Sequence, residues 1–227
     1  MSASRRFLRD NGLTLAFGIG FLLCLLGQAI AGHAELNSIL EAQSLHPLSF
    51  ADYLFTSDFM VDVTENWQSE FLQFSLYIIG TVWLVQRGSP ESKPLDKAGT
   101  ETDEEQRVGA HTRADSPRWA ASGGLRRALY SRSLGLVMSL IFLLSWLAQS
   151  VTGTVAFNEE QLRQLQEPVS WTTYVASAEF WNRTLQNWQS ELLAVTAMVI
   201  LSVYLRQRGS PESKPVGAAH AATGVES

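Results

Sequence analysis

QRGSPESKP occupies residues 86–94, and the same nine letters return at residues 207–215. The offset is 121 positions, and the flanks obey it. NWQSE at 66–70 falls on NWQSE at 187–191, while Gln28, Gly32, Asn37, Pro47, Ser49, Tyr53 and Phe59 fall on Gln149, Gly153, Asn158, Pro168, Ser170, Tyr174 and Phe180. From Leu13 to Pro94 roughly two positions in five agree without a gap, the mark of an internal repeat. The chain reads as two copies of one unit, residues 1–94 and 123–215, joined by a linker (95–122) and followed by a tail (216–227).

Each copy carries two apolar blocks free of charge: LTLAFGIGFLLCLLGQAIAG (13–32) and FLQFSLYIIGTVWLV (71–85), then LGLVMSLIFLLSWLAQSVTG (134–153) and LLAVTAMVILSVYL (192–205). A helix crossing the hydrocarbon needs about 17 to 25 largely apolar residues. The first and third blocks meet that alone. The second and fourth meet it as spans of about 69–86 and 190–206, which draws Glu70 and Glu191 toward the membrane. The mean hydropathy of +0.02 averages these blocks with a very polar remainder, so it does not weigh against lipid. The expected fold is an all-α membrane protein of four transmembrane helices, arranged as two parallel two-helix repeats with an extracytoplasmic helical cap built from loops 33–65 and 154–187.

Charge sets the orientation. The net charge is −5, yet of 17 Lys and Arg only Arg163 and Arg183 fall in the loops 33–65 and 154–187. Basic residues near spans stay on the cytoplasmic side, which places both termini and the linker inside. The opening MSASRRFLRD followed by an apolar stretch also has the form of a secretory signal. Its apolar part is longer than a usual signal core, and its repeat partner at 134–153 is internal, so it reads as a retained span. Cys24 is the sole cysteine, which leaves no intrachain disulfide to form.

Within a unit, the first span is expected to end at Gly32 or Gly153, with Asn37 or Asn158 capping a short helix; NEEQLRQLQ (158–166) has the form of a capping-box variant. Ser49 and Ser170 are placed to cap a second short helix, lying either in the outer interface or as a soluble cap on the helices. From Asp58 the residues Phe59, Val63 and Trp67 stand four apart and lead into the apolar block, predicting one helix over about 58–86, with Asp62 and Glu65 on other faces. Trp67 and Trp188 then mark the headgroup level. In QRGSPESKP the Arg suits a helix C-terminus, Gly88 the left-handed residue after it, and Pro90 blocks continuation. The linker contains GTETDEEQ and no apolar periodicity, so it and the tail are expected to be disordered.

On NWQSE, the paired QRGSPESKP and the GQAIAGH end of the first span, the chain resembles a bacterial integral-membrane family known only as a domain of unknown function. The resemblance implies a small multi-pass protein of the bacterial inner membrane and carries no site residue over. Both termini would be cytoplasmic.

No Gly-rich phosphate loop, metal-spaced His or Cys cluster, or nucleophile beside a base stands in the sequence, so no catalytic residue, metal or cofactor is assigned. His33, His46, His111 and His220 are scattered. Small residues at spacing four in the first span and Ser145, Ala148, Gln149 and Thr152 in the third suit close helix approach and set those two spans at the centre. Counting 1.5 Å per residue puts Gln28, Glu70, Gln149 and Glu191 at one depth near the outer edge of the hydrocarbon, with Asn66 and Asn187 one turn above. These six form the candidate polar cluster, read as a structural clasp or as a cation or polar-solute site. Two functions follow. One is non-catalytic action through self-association or a protein partner at the cytoplasmic or outer face, with the lipid bilayer as solvent and no nucleic acid. The other is a channel or facilitator for a small ion or polar solute.

Overall fold

The computed structural model describes residues 2–224, and all regular structure among them is helical. Met1 and residues 225–227 of the expected tail lie outside the described residues. A short α1 (Ala3–Asp10) leads into the long α2 (Gly12–Ala42), a single turn α3 (Phe50–Tyr53) and α4 (Ser57–Gly80). After a stretch of turns come α5 (Arg118–Ala121), α6 (Gly124–Tyr130), α7 (Ser133–Arg163), α8 (Trp171–Val175) and α9 (Ala178–Tyr204). The chain divides into two compact units, Met1–Val63 and Thr64–Ser227, with the division inside α4.

α2 and α7 are each 31 residues long and apolar enough to cross a membrane. Their apolar surface is not spent on a protein core: only 6% of the apolar window of α2 and 17% of that of α7 is buried. Leu13, Phe17, Leu22 and Leu23, and likewise Leu134, Leu140 and Leu144, are more than half exposed. Such a surface would be expelled from water at about 25 cal/mol per Å², and it suits hydrocarbon.

In the first unit, α2 does not stop at Gly32 and Asn37 does not cap a helix; the helix runs ten residues further than the expected span. The reason lies in what those residues touch. Asn37 sits inside the helix and reaches out to the returning chain, where its Oδ1 accepts from the Leu48 N–H (2.7 Å) and its Nδ2 donates to the Leu48 carbonyl (3.0 Å). One side-chain amide thus satisfies both peptide groups of a residue that no helix serves. Gly32 is kept small because a Cβ there would run into the Tyr53 hydroxyl. Tyr53 packs with Ala29, Leu36, Leu40 and Phe59 in a small core, capped by Ser49, whose hydroxyl accepts from the Asp52 N–H.

The second unit builds the corresponding parts. Asn158 is likewise internal to α7, which refutes the capping-box reading of 158–166; its Oδ1 accepts from the Val169 N–H (2.8 Å) and its Nδ2 donates to the Val169 carbonyl (3.0 Å). The Tyr174 hydroxyl covers Gly153, Ser170 caps α8 through the Thr173 N–H, and Tyr174 packs on Phe157 and Phe180. Both long helices end in a residue held left-handed, Ser44 (φ 60°) and Leu165 (φ 59°), with the N–H of the next residue bonded back to the Leu40 or Gln161 carbonyl. That is the Schellman closure, made here without glycine.

α4 ends at Gly80, short of the predicted 86. Thr81 to Trp83 tighten into a narrower turn, yet the Leu84 N–H still bonds the Gly80 carbonyl, as the Leu205 N–H bonds that of Leu201 at the end of α9. Glycine where α9 has leucine loosens the last turn of α4. Gly88 and Gly209 do have positive φ, 85° in each case, but neither follows a helix directly. They occupy the third position of turns closed by Ser89 N–H to Gln86 C=O and Ser210 N–H to Gln207 C=O, each 3.2 Å. A type II turn requires that conformation. Ser92 and Ser213 hold these loops by accepting from the Gln86 and Gln207 N–H groups. Lys93 donates to the Gly99 carbonyl, and Lys214, 1% exposed, donates to the carbonyls of Gly88, His220, Ala219 and Ala222. The tail segment is thereby fastened over the first loop, where Gly88 N–H also donates to Thr223 and Gly224 N–H to the Ser89 carbonyl. Burial, with help from the nearby Arg206 charge, pushes the Lys214 ammonium below its ordinary pKa.

Candidate functional site

Within the second unit, α4 from Thr64 onward and α9 lie side by side and run the same way. Their contacts pair residues 118, 122 and 120 positions apart, bracketing the 121-residue offset of the sequence. At the N-terminal end of this pairing Arg183 grips Glu65 through Nε (2.8 Å) and Nη2 (2.7 Å), and the Asn187 Nδ2 donates to the other oxygen of the same carboxylate (2.6 Å). Glu65 is only 13% exposed, so this two-pronged pairing supplies donors that water cannot. One turn further in, the Trp188 indole N–H donates to Gln68 Oε1 at 2.7 Å. Below that, Glu191 comes within hydrogen-bonding reach of Ser69 and feels the charge of Glu70.

α7 supplies the third wall. Trp146 packs on Trp188 (5.6 Å between ring centroids), Trp181 (5.9 Å) and Phe180 (6.2 Å), which ties α7 to α9. One turn along α7 from Trp146 lies Gln149, with no exposed surface at all; Gln68 on α4 and Thr184 on α9 are equally enclosed. Further in, Ser75 and Ser139 share a hydrogen bond of 2.6 Å between α4 and α7, and Gly135 lets Ile79 approach. The buried stripe of α4 is Val61, Thr64, Gln68, Leu72 and Ser75, at spacings of three and four, so more of its packed face is polar than apolar. Close approach through small and hydroxyl-bearing residues is the mode of helix packing found where neither water nor a hydrophobic drive is at work.

Of the six residues of the expected cluster, Gln149, Asn187, Glu191 and Glu70 line this one region of the second unit, though not as one set. Asn187 serves Glu65, Glu191 lies lower down within the field of the exposed Glu70, and Gln149 is enclosed one turn along α7 from Trp146. Asn66 is exposed beside them on α4, and Gln28 lies half-buried on α2 in the first unit. Trp67 is 40% exposed, whereas Trp188 is partly withdrawn into the aromatic group. Sequence reasoning missed Gln68, Thr184, Trp146 and the Glu65–Arg183 pair. Gln68 stands inside the repeated NWQSE and carried that signal; Arg183 was visible as one of two cations in the outer loops. Outside the helices' apolar parts, burial raises the Tyr174 hydroxyl above its ordinary pKa, against the opposing pull of Arg183.

A family model described as a domain of unknown function, DUF6766, matches residues 4–225. The chain belongs to that family. No curated protein and no solved structure matches it. Among the described residues no group of three or more His, Cys, Asp or Glu stands in a metal-holding arrangement.

Proposed function

We propose that the chain is a four-span protein of the bacterial inner membrane, made of two parallel two-helix units, with both termini cytoplasmic, acting without catalysis through association in the bilayer. The observation that carries the reading is the exposure of α2 and α7, whose apolar surfaces stand open on nearly every side. The repeat reading draws support from α4 and α9, which meet at positions offset by almost the repeat length, as two copies would along a shared pseudo-twofold axis. Glu70 and Glu191, identical positions of the two copies, then face each other across it. The protein should stay in the membrane fraction through washes with alkaline carbonate and high salt, and in mild detergent it should run as an oligomer or with a protein partner. Release by carbonate would contradict the spanning part, and a lone monomer at every concentration would contradict association.

A second reading, passage or binding of a small polar solute, is favoured by one specific observation: polar atoms of Gln68, Gln149 and Thr184 are enclosed in the second unit without a protein partner. These groups are neutral, while Glu70 is exposed and Glu191 half-buried, which turns this reading away from an ion and toward an uncharged solute.

A further inference from the structure

We propose that the place where α4, α7 and α9 meet holds small neutral hydrogen-bonding molecules, water or a small uncharged solute, on Gln68, Gln149, Thr184 and Trp146. It deepens the second reading and does not depend on the membrane topology. Of the six buried side-chain polar atoms without a protein partner among the described residues, five stand on these four side chains: Gln68 Nε2, both amide atoms of Gln149, Thr184 Oγ1 and Trp146 Nε1; the sixth is Arg206 Nε. Gln68, Gln149 and Thr184 have no exposed surface, so bulk solvent does not serve them. Buried polar groups in folded proteins are nearly always satisfied, and an orphan is strongly unfavourable.

The atoms are one neighbourhood. Gln68 accepts from Trp188, Trp188 packs on Trp146, Gln149 is one turn from Trp146, and Thr184 is one turn from both Phe180 and Trp188. The indole is a donor only, so the bond from Trp188 fixes which end of the Gln68 amide is free: the NH2. For Gln149 the choice of amide orientation is immaterial, because neither end is engaged.

The set defines the guest. It offers N–H donors from Gln68, Gln149 and Trp146, an acceptor from Gln149 and a hydroxyl of either sense from Thr184. The guest must therefore both accept and donate, and a neutral molecule suits these neutral groups, with Glu65 and Arg183 on the adjoining turns already paired with each other. Aromatic rings bound the place and add no charge.

Hydroxyl-radical footprinting by X-ray radiolysis of the purified full chain in detergent reads the occupancy, because radicals form on water held inside a protein as well as outside it. Phe180, 1% exposed and against Trp146, is expected to be oxidised, while Tyr53, 3% exposed in the first unit, where no such unpartnered buried atom stands among the described residues, stays protected. If Phe180 labelling falls as glycerol or acetamide is added, saturating with concentration, the guest is such a solute; if it does not respond, the guest is water. Protection of Phe180 equal to that of Tyr53 would overturn the proposal. A second measurement has the opposite sign for the two cases. Gln149→Met removes two polar atoms at similar volume, and an occupied site then loses bonds, so Tm should fall by a few degrees. A rise in Tm would mean that Gln149 was an unsatisfied defect, and the site would be refuted.

Discussion

A few residues are fixed by contacts that leave no alternative, and these give the sharpest mutational tests. Gly153 lies under the Tyr174 hydroxyl, where a Cβ would come within 2.6 Å. Gly153→Ala should lower unfolding stability by about 1–3 kcal/mol, the usual scale for overpacking. Tyr174→Phe in the same chain should recover part of that loss in a denaturation midpoint. No recovery would mean that the hydroxyl is not what excludes the methyl. Leu165 points the other way. It is almost wholly exposed and holds φ 59°, a conformation that glycine adopts freely. Leu165→Gly should therefore stabilise by up to about 1 kcal/mol, and a loss of stability would show that the left-handed closure of α7 is not strained. At this scale the sequence was readable where the chemistry is local. Ser49 and Ser170 cap as expected because a cap bonds a residue three positions on. Asn37 and Asn158 were misread because their partners, Leu48 and Val169, lie eleven positions on, across a turn that no local rule contains.

Between elements, the junction of α4 and α9 is the part that both the repeat and the polar chemistry converge on. Arg183 is the cation there, and Glu65 is largely withdrawn from water. Arg183→Met should cost about 1–3 kcal/mol, less than a fully buried pair because the Arg is itself 36% exposed. Adding Glu65→Gln should restore much of that, since the stranded charge is then gone. Equal losses in the single and double variants would argue that Arg183 contributes through packing alone. Arg183 stands out in the sequence but its partner does not, because position 62 is Asp where its repeat partner 183 is Arg, and position 65 is Glu where 186 is Gln. A pair that breaks the repeat is invisible to an argument built on what the repeat preserves. The loops made by QRGSPESKP are the converse. Three of the repeated letters have the same task in both loops: Gly for the turn, Ser92 and Ser213 to close it, Lys93 and Lys214 to catch carbonyls of the chain that follows. Helix ends were legible only to within a few residues, as α4 shows by loosening at Gly80.

For the whole molecule, the proposed arrangement rests on lipid facing α2 and α7 and on basic residues gathered at one side of the membrane. The apolar blocks made that much readable from sequence alone. In the proposed four-span arrangement α4 and α9 have the shorter apolar parts, which begin directly after Glu70 and Glu191. In the proposed arrangement their crossing would put residues 44 and 166 on one side and the segment around Thr100 on the other. Single cysteines at Ser44, Gln166 and Thr100, each in a Cys24→Ser chain, decide it when intact cells are treated from outside with a membrane-impermeant thiol reagent. The account predicts labelling at 44 and 166 and none at 100 until the cells are opened; labelling at 100 in sealed cells, or protection of either 44 or 166, would contradict it.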